Sequence, residues 1–305
     1  MAFNVSSINA YTNETAQQLV KKAVLAGKTM SMVSVVPGIK YKETLNILDN
    51  TISVQNATCG FTSKGSVAFK QREIEVTALE VKESLCEKTL EQYFMGQWMK
   101  PGSPKDEELG AILADSYVEK IKEYNELNIW KGGIGSPGYG KIDGLISILS
   151  DEATRVTVEL GSPDIMAGPF TSANIVSAVD AMVANIPEEI LNKSDLTLFM
   201  SYANYNLYTA ALRTANLYHY KGESGTDFEC YIPGTSVKAV ATHGLTSTDY
   251  MVLTFASNIV VGTDLLDEEE KFDIWYSKDN DEVRVNIQWK IGVEVYFPEH
   301  CVCNF

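Results

Sequence analysis

From Val283 to Phe297 every second residue is large and apolar: Val283, Val285, Ile287, Trp289, Ile291, Val293, Val295 and Phe297. The residues between them are mostly polar or small, a period of two that belongs to a strand with one buried face. At about 3.3 Å per residue the run is roughly 50 Å long, whereas an average strand has about five or six residues. A strand of this length suits an extended subunit better than a compact enzyme.

The chain has 305 residues, 45% of them hydrophobic, enough for one large core or two smaller ones. Its 25 Lys plus Arg face 40 Asp plus Glu, a formal charge of -15, which argues against a surface built to grip nucleic acid. The charge is unevenly spread. Residues 11–48 hold Lys21, Lys22, Lys28, Lys40 and Lys42 against Glu14 and Glu43, whereas 263–305 hold eleven acids against four bases. Ends of opposite sign can attract in neighbouring copies, although a solvated lysine-bearing helix is the commoner explanation of the first. The first residues lack the basic, apolar and small-residue pattern of a signal peptide, and no apolar run approaches the ~20 residues of a membrane span, so an intracellular product is expected.

The spacing predicts a helix over 13–26, a break at Pro37 and Gly38, and a mixed extended region from 41 to 82. Phe69, Ile74, Val76 and Val81 alternate with charged residues, which reads as strands exposed over much of their surface, with Gly60 and Gly65 available for a hairpin turn. A long helix comes next: Ser103 caps it, Pro104 fits its first turn, Asp106 completes a capping box, and Leu109, Ile112, Leu113, Tyr117, Ile121 and Tyr124 recur every three or four residues. Further on, strands are expected near 155–160, 196–200, 237–243, 250–255, 258–262 and 271–276, with helices near 172–185 and from Ser201.

Motifs for chemistry are weak throughout. Gly135, Gly140 and Lys141 have the spacing of a phosphate-binding loop, but Ile142 stands where a Ser or Thr would hold magnesium, and the loop comes after a helix rather than a strand. It reads as a flexible link. His219, His243 and His300 sit in unrelated contexts, and no HExxH or GxSxG occurs. Cys59, Cys86 and Cys230 are isolated, and His300, Cys301 and Cys303 supply too few ligands for a closed metal site. Glu268, Glu269 and Glu270 read as a solvated turn, and Asp264 and Asp267 lack the spacing of a calcium loop. Tyr202, Tyr205, Tyr208, Tyr218 and Tyr220 have only Arg213 among them, so packing is preferred over base stacking. No catalytic, cofactor-binding or metal-binding residue is assigned, no cofactor is expected, and the chain is read as a non-enzyme.

The order of segments resembles the major capsid proteins of tailed double-stranded DNA phages, whose fold is shared with the floor of herpesvirus shells. The stretches LTLFMSYANYNLYTAAL (196–212), IPGTSVKAVATHGL (232–245) and DEVRVNIQWKIGVEVYFPE (281–299) look like that family's axial helix, the loop beyond it and its last strands. The resemblance implies an α+β fold: an N-terminal arm (1–49), an extended loop (50–82), a peripheral domain with a spine helix (83–144), an axial domain (145–262) and closing strands of the peripheral domain (263–305). It further implies self-assembly into pentamers and hexamers that tile an icosahedral shell, with the extended loop lying across a neighbour. Scaffolding, portal or decoration proteins would be separate partners, DNA a nonspecific neighbour, and no membrane is involved. The product would reside in the virion capsid after assembly in the host cytoplasm. A long charged scaffolding segment before the arm is lacking, which puts a cleaved prosegment in doubt. Lys64 or Lys70 would be the candidates for the Lys–Asn crosslinks of some relatives, although no receiving Asn or buried Glu is identifiable. The alternative is another self-associating phage component, such as a tail-tube or decoration protein. Phe69 is expected to dock on a neighbour, and Trp289 to hold the subunit itself together.

Overall fold

The computed structural model describes residues 27–57, 59–60, 64–86, 107–133, 140–158, 169–215, 228–264, 271–280 and 282–305. The expected helix over 13–26, the cap at Ser103, Pro104 and Asp106, and Gly135, His219, Tyr218, Tyr220, Asp267 and Glu268 to Glu270 lie outside these residues. In chain order the principal elements are β1 (Ser34–Pro37), β2 (Lys42–Thr51), β3 (Ser66–Glu75), β4 (Thr77–Cys86), α1 (Glu107–Lys131), α2 (Leu145–Asp151), β5 (Val156–Thr157), α3 (Ile175–Ala184), β6 (Leu196–Ser201), α4 (Tyr202–Thr214), β7 (Glu229–Tyr231), β8 (Lys238–Thr242), β9 (Val252–Phe255), β10 (Ile259–Thr263), β11 (Lys271–Ser277), β12 (Glu282–Val295) and β13 (Val302–Cys303).

The long apolar alternation is β12, 14 residues in one strand. Along one edge it pairs antiparallel with β11 and then β10; along the other it pairs with β4, from Glu282 opposite Cys86 to Ile291 opposite Thr77. With β1 parallel to β10 these make a five-stranded sheet. Val283, Val285, Ile287, Trp289 and Ile291 are buried, and the alternate residues are half-buried. Each such side chain withdrawn from water contributes about 1.5–3 kcal/mol, so one strand carries a large share of the core. On the opposite face Lys290 Nζ meets Asp264 Oδ2 at 2.7 Å, and that aspartate is buried.

The sheet is covered by α1. Its buried residues Ala114, Val118, Ile121, Asn125 and Ile129 fall three or four apart on one face, and Glu126, Asn128 and Trp130 widen that face towards the C-terminal end. Ala114, Val118, Ile121 and Ile129 join the apolar side of β12 in one core, and Trp289 Nε1 donates to the buried Asn125 Oδ1 at 3.0 Å. The second sheet has the order β5-β13-β9-β6-β8-β7 and mixes parallel and antiparallel pairs. Both its faces are covered. Leu198 and Met200 pack with α3 and α4, while Phe199, Val240 and Val252 point to the core under α1. A strand covered on both sides has no polar face to alternate with, which is why β6 reads LTLFMS and is buried at every position.

The glycine-rich stretch after α1 leads into the short helix α2, where a link running straight to a strand was expected. Leu145, Ile146 and Leu149 supply its buried side, and Gly144 N donates to Gly132 O at 3.1 Å, closing the connection tightly. A helix of seven residues is too short to announce itself by periodicity. Among the described residues no helix is long and apolar enough to cross a membrane.

The region read as extended from 41 to 82 divides. Among the described residues β2 and β3 pair only with each other, Lys42 opposite Glu75 through Thr51 opposite Ser66, and the 52–65 connection holds both Gly60 and Gly65. After Val76 the chain enters β4 and the large sheet. This bend crosses β12 at Gly292, where a Cβ would lie 2.0 Å from the Glu75 carbonyl oxygen and 3.1 Å from Val76 Cα. Gly292→Ala therefore has to displace backbone, and a cost of about 1–3 kcal/mol is expected, as for other overpacked sites. Urea unfolding of the variant beside the parent chain measures it.

Candidate assembly surfaces

The β2–β3 hairpin has two unlike faces. Leu45, Ile47 and Ile74 point inward and are buried, with Leu45 and Ile74 packed on Ile39, Val76 and Val260. Arg72, on the same face, reaches two acids: its Nη2 lies 2.5 Å from Glu152 Oε1 beyond α2 and 2.9 Å from Glu294 Oε1 on β12. Burial pulls the guanidinium's pKa down, but the two carboxylates outweigh it and the group is held charged. This clamp and the apolar patch fix the root of the hairpin on the body of the subunit.

The outward face carries cross-strand pairs of three kinds. Lys42 and Glu75 form an exposed ion pair at 2.8 Å, Gln71 Nε2 donates to Asn46 Oδ1 at 3.0 Å, and Leu48 stands opposite Phe69. Leu48 is 60% exposed and Phe69 76%, while Ile52 and Val54 beyond them are 76% and 92% exposed. Lys64 and Lys70 flank this apolar tip. A two-stranded ribbon with a greasy end is marginal in water unless something covers it. Sequence reasoning found Phe69 but missed Leu48, whose alternation with Asn46 on β2 was the available signal.

A second exposed feature is a groove of about 970 Å³ between β4 and α1, lined by Leu79, Val81, Leu85, Tyr117, Ile121 and Tyr124. Glu83 on its rim accepts a hydrogen bond from Tyr117 Oη at 2.6 Å, and burial together with that carboxylate pushes the phenol's pKa up. The tyrosine is thereby fixed as a neutral donor on the groove wall.

The residues singled out for chemistry are dispersed. His243 lies 3.5 Å from Glu123, whereas His300 lies 3.5 Å from Glu189 and stacks near Phe297 and Phe255. Cys301 and Cys303 are fully buried; Asn258 Nδ2 donates to Cys301 Sγ at 3.3 Å, and burial pushes the Cys301 thiol up to about 12 and that of Cys303 well above its ordinary value. Such thiols stay protonated and serve as packing. Among the described residues no three His, Cys, Asp or Glu converge in a way that would hold a metal ion. Tyr205 and Tyr208 on α4 are buried, and Tyr202 and Tyr205 both pack edge-on against Phe228. Lys141 is exposed and Ile142 buried beside α2.

No protein-family model matches the sequence, and no curated protein does. Solved structures do. The chain is similar to one from the satellite phage P4 procapsid including the size determination (Sid) protein, at 14% identity and a TM-score of 0.64, covering 94% of this chain and 89% of that one. It is similar to one from the capsid of an empty GTA particle, at 12% identity and a TM-score of 0.59, covering 92% and 89%. A third is the virus-like particle from Pyrococcus furiosus, at 11% identity and a TM-score of 0.52, covering 96% and 98%. Because these matches run nearly the full length of both partners, the similarity covers the whole chain and not one motif: the chain has the mixed α and β fold of phage major capsid proteins.

Proposed function

We propose that this chain is the structural subunit of an icosahedral shell around double-stranded DNA, assembling as pentamers and hexamers, and that it has no catalytic role. The observation that carries the reading is the β2–β3 hairpin, rooted by Arg72 and ending in the exposed Leu48, Ile52, Val54 and Phe69. A monomer gains nothing from such a tip, whereas a neighbouring copy gains apolar contact area from it. The groove between β4 and α1 offers a surface of matching character on the next subunit. The segments then take the roles of arm (1–49), extended loop (50–82), peripheral domain (83–144 and 263–305) and axial domain (145–262). Scaffolding, portal and decoration proteins are the further partners this reading calls for, with assembly in the host cytoplasm and residence in the virion.

A tail-tube or decoration protein is the rival. The 25-residue helix α1, buried against the long sheet, speaks for the shell subunit, since a tube wall built as a sheet sandwich has no use for it. Electron microscopy with sedimentation, on the chain expressed alone and with neighbouring genes of its source, decides. Closed shells or rings of five or six are expected; a stable monomer in both preparations overturns the reading, and open tubes favour the rival.

A further inference from the structure

The β2–β3 hairpin is an arm hung from one narrow join. The chain enters it past Gly38, whose φ of +85° suits glycine, and leaves it through Val76, whose N–H donates to Tyr41 O at 2.8 Å and ties the two crossings together. β3 is 10 residues long, so the tip lies about 33 Å from the join at 3.3 Å per residue. The inner face of the arm is seated on the body by apolar and charged contacts. Leu45, Ile47 and Ile74 are buried, and Leu45 and Ile74 pack on Ile39, Val76 and Val260 near the join. Between them, opposite Leu45 and about 13 Å from Val76, Arg72 reaches Glu152 just past α2 and Glu294 on β12.

That charged contact is both strong and incomplete. The side chains of Arg72, Glu152 and Glu294 are 22%, 27% and 15% exposed, so salt screens them less than the open pair between Lys42 and Glu75. Both acids meet the same nitrogen, however, whereas Arg72 Nε is buried and has no acceptor among the described residues. An opened arm would return that N–H to water, which works against the seated form. Repulsion works against it too. A cleft of about 350 Å³ separates Glu73 and Glu75 on the arm from Lys141, Asp143 and Glu294 on the body. Its four carboxylates are offset by Lys141 and by Lys42, which lies 2.8 Å from Glu75 and 4.0 Å from Glu73, so acids remain in excess across the gap. Without the guanidinium, Glu152 and Glu294 would repel each other and the acids of the arm alike.

We propose that Arg72 is the catch of a hinged arm: it holds the hairpin seated on β12 and the end of α2 against the acids of the cleft, and without its charge the hairpin swings about the Tyr41–Val76 join. The catch sits about 13 Å along an arm of about 33 Å, so a displacement there is magnified roughly twofold or more at the tip. Arg72 thereby sets the direction in which Leu48 and Phe69 are presented. The catch acts within one chain and can be tested before any assembly.

Spin labels at the exposed positions Ser66→Cys, at the outer end of β3, and Ser84→Cys on β4 report the position of the arm by pulsed dipolar spectroscopy of the unassembled full-length chain, with Cys59, Cys86 and Cys230 replaced by Ser. The parent should give one narrow distance band. In Arg72→Gln the seated-to-open ratio should fall by about tenfold or more, the effect of losing one charge-assisted hydrogen bond, and a displaced band should appear while the unfolding midpoint stays near that of the parent. Arg72→Lys keeps the charge and should stay mostly seated. Raising salt from about 0.05 to 0.5 M should draw Arg72→Gln back towards the seated band, because repulsion alone is left to screen. An unchanged band in Arg72→Gln would mean that Leu45, Ile47 and Ile74 seat the arm unaided, and a broad band in the parent would mean that nothing catches it. Either result overturns the proposal, as does a displaced band that Arg72→Lys shows equally or that salt leaves untouched.

Discussion

Trp289→Ala lowers the stability of the subunit by about 3–5 kcal/mol, the range for truncating a large buried aromatic. The side chain is 3% exposed, sits near the middle of β12 opposite Leu79 of β4, and faces the core shared with α1. Its loss opens a cavity between sheet and helix and strips Asn125 Oδ1 of its donor, adding about 1–3 kcal/mol for an unsatisfied buried group where no water enters. Since whole domains are stable by only about 5–15 kcal/mol, this one change takes a large part of the total. Chemical denaturation followed by circular dichroism reads it directly. A loss below about 1 kcal/mol would mean that α1 does not rest on β12 as described.

The second large effect separates assembly from folding. Leu48→Asp with Phe69→Asp places two charges on a surface already in water, so the melting temperature of the isolated subunit should move little. If both side chains are covered in the shell, losing about 1.5–3 kcal/mol for each, the association constant per contact falls by roughly 100-fold or more. Shells form through many such contacts, so closed particles should vanish while soluble subunit accumulates, as sedimentation velocity would show. Normal particles from the double variant would remove the hairpin tip from the interface and leave Trp289 and the fold untouched. The contrast between the two experiments separates the roles, because Trp289 is internal to one chain and Phe69 is exposed on it.

Where the sequence was legible, a single physical cause dominated. β12 has one wet face and one dry face, and the alternation from Val283 onward declares it. α1 packs one side on a sheet, and Tyr117, Ile121 and Tyr124 keep the helical spacing. The two-sided burial of β6 made LTLFM readable as a strand only by its length and by the helix α4 directly after it. Illegible features depended on partners far along the chain. Arg72 looked like one more charge on an exposed strand until Glu152 and Glu294 came within reach of it, 80 and 222 residues away. Glu126 sits next to the polar Asn125 on the buried face of α1 and gives no sign of Thr29, 97 residues earlier. Gly292 is a small residue in the middle of a strand, and only the crossing of the Glu75–Val76 bend explains it.

That crossing also sets how load would travel through a wall of these subunits. A pull on the hairpin tip is taken up at the root by the Arg72 clamp and the contacts of Leu45 and Ile74, and beyond them, through Val76, by β4, which is paired with β12 over ten consecutive positions. When a ladder like that is tugged lengthwise its rungs are strained together and fail together; peeled from one end, they would give way in succession. If the chain is the shell subunit proposed above, tension arriving from a neighbour would meet a ladder ten pairs long, and a container under internal pressure would owe its tensile strength to backbone pairing inside each subunit as much as to the joints between them.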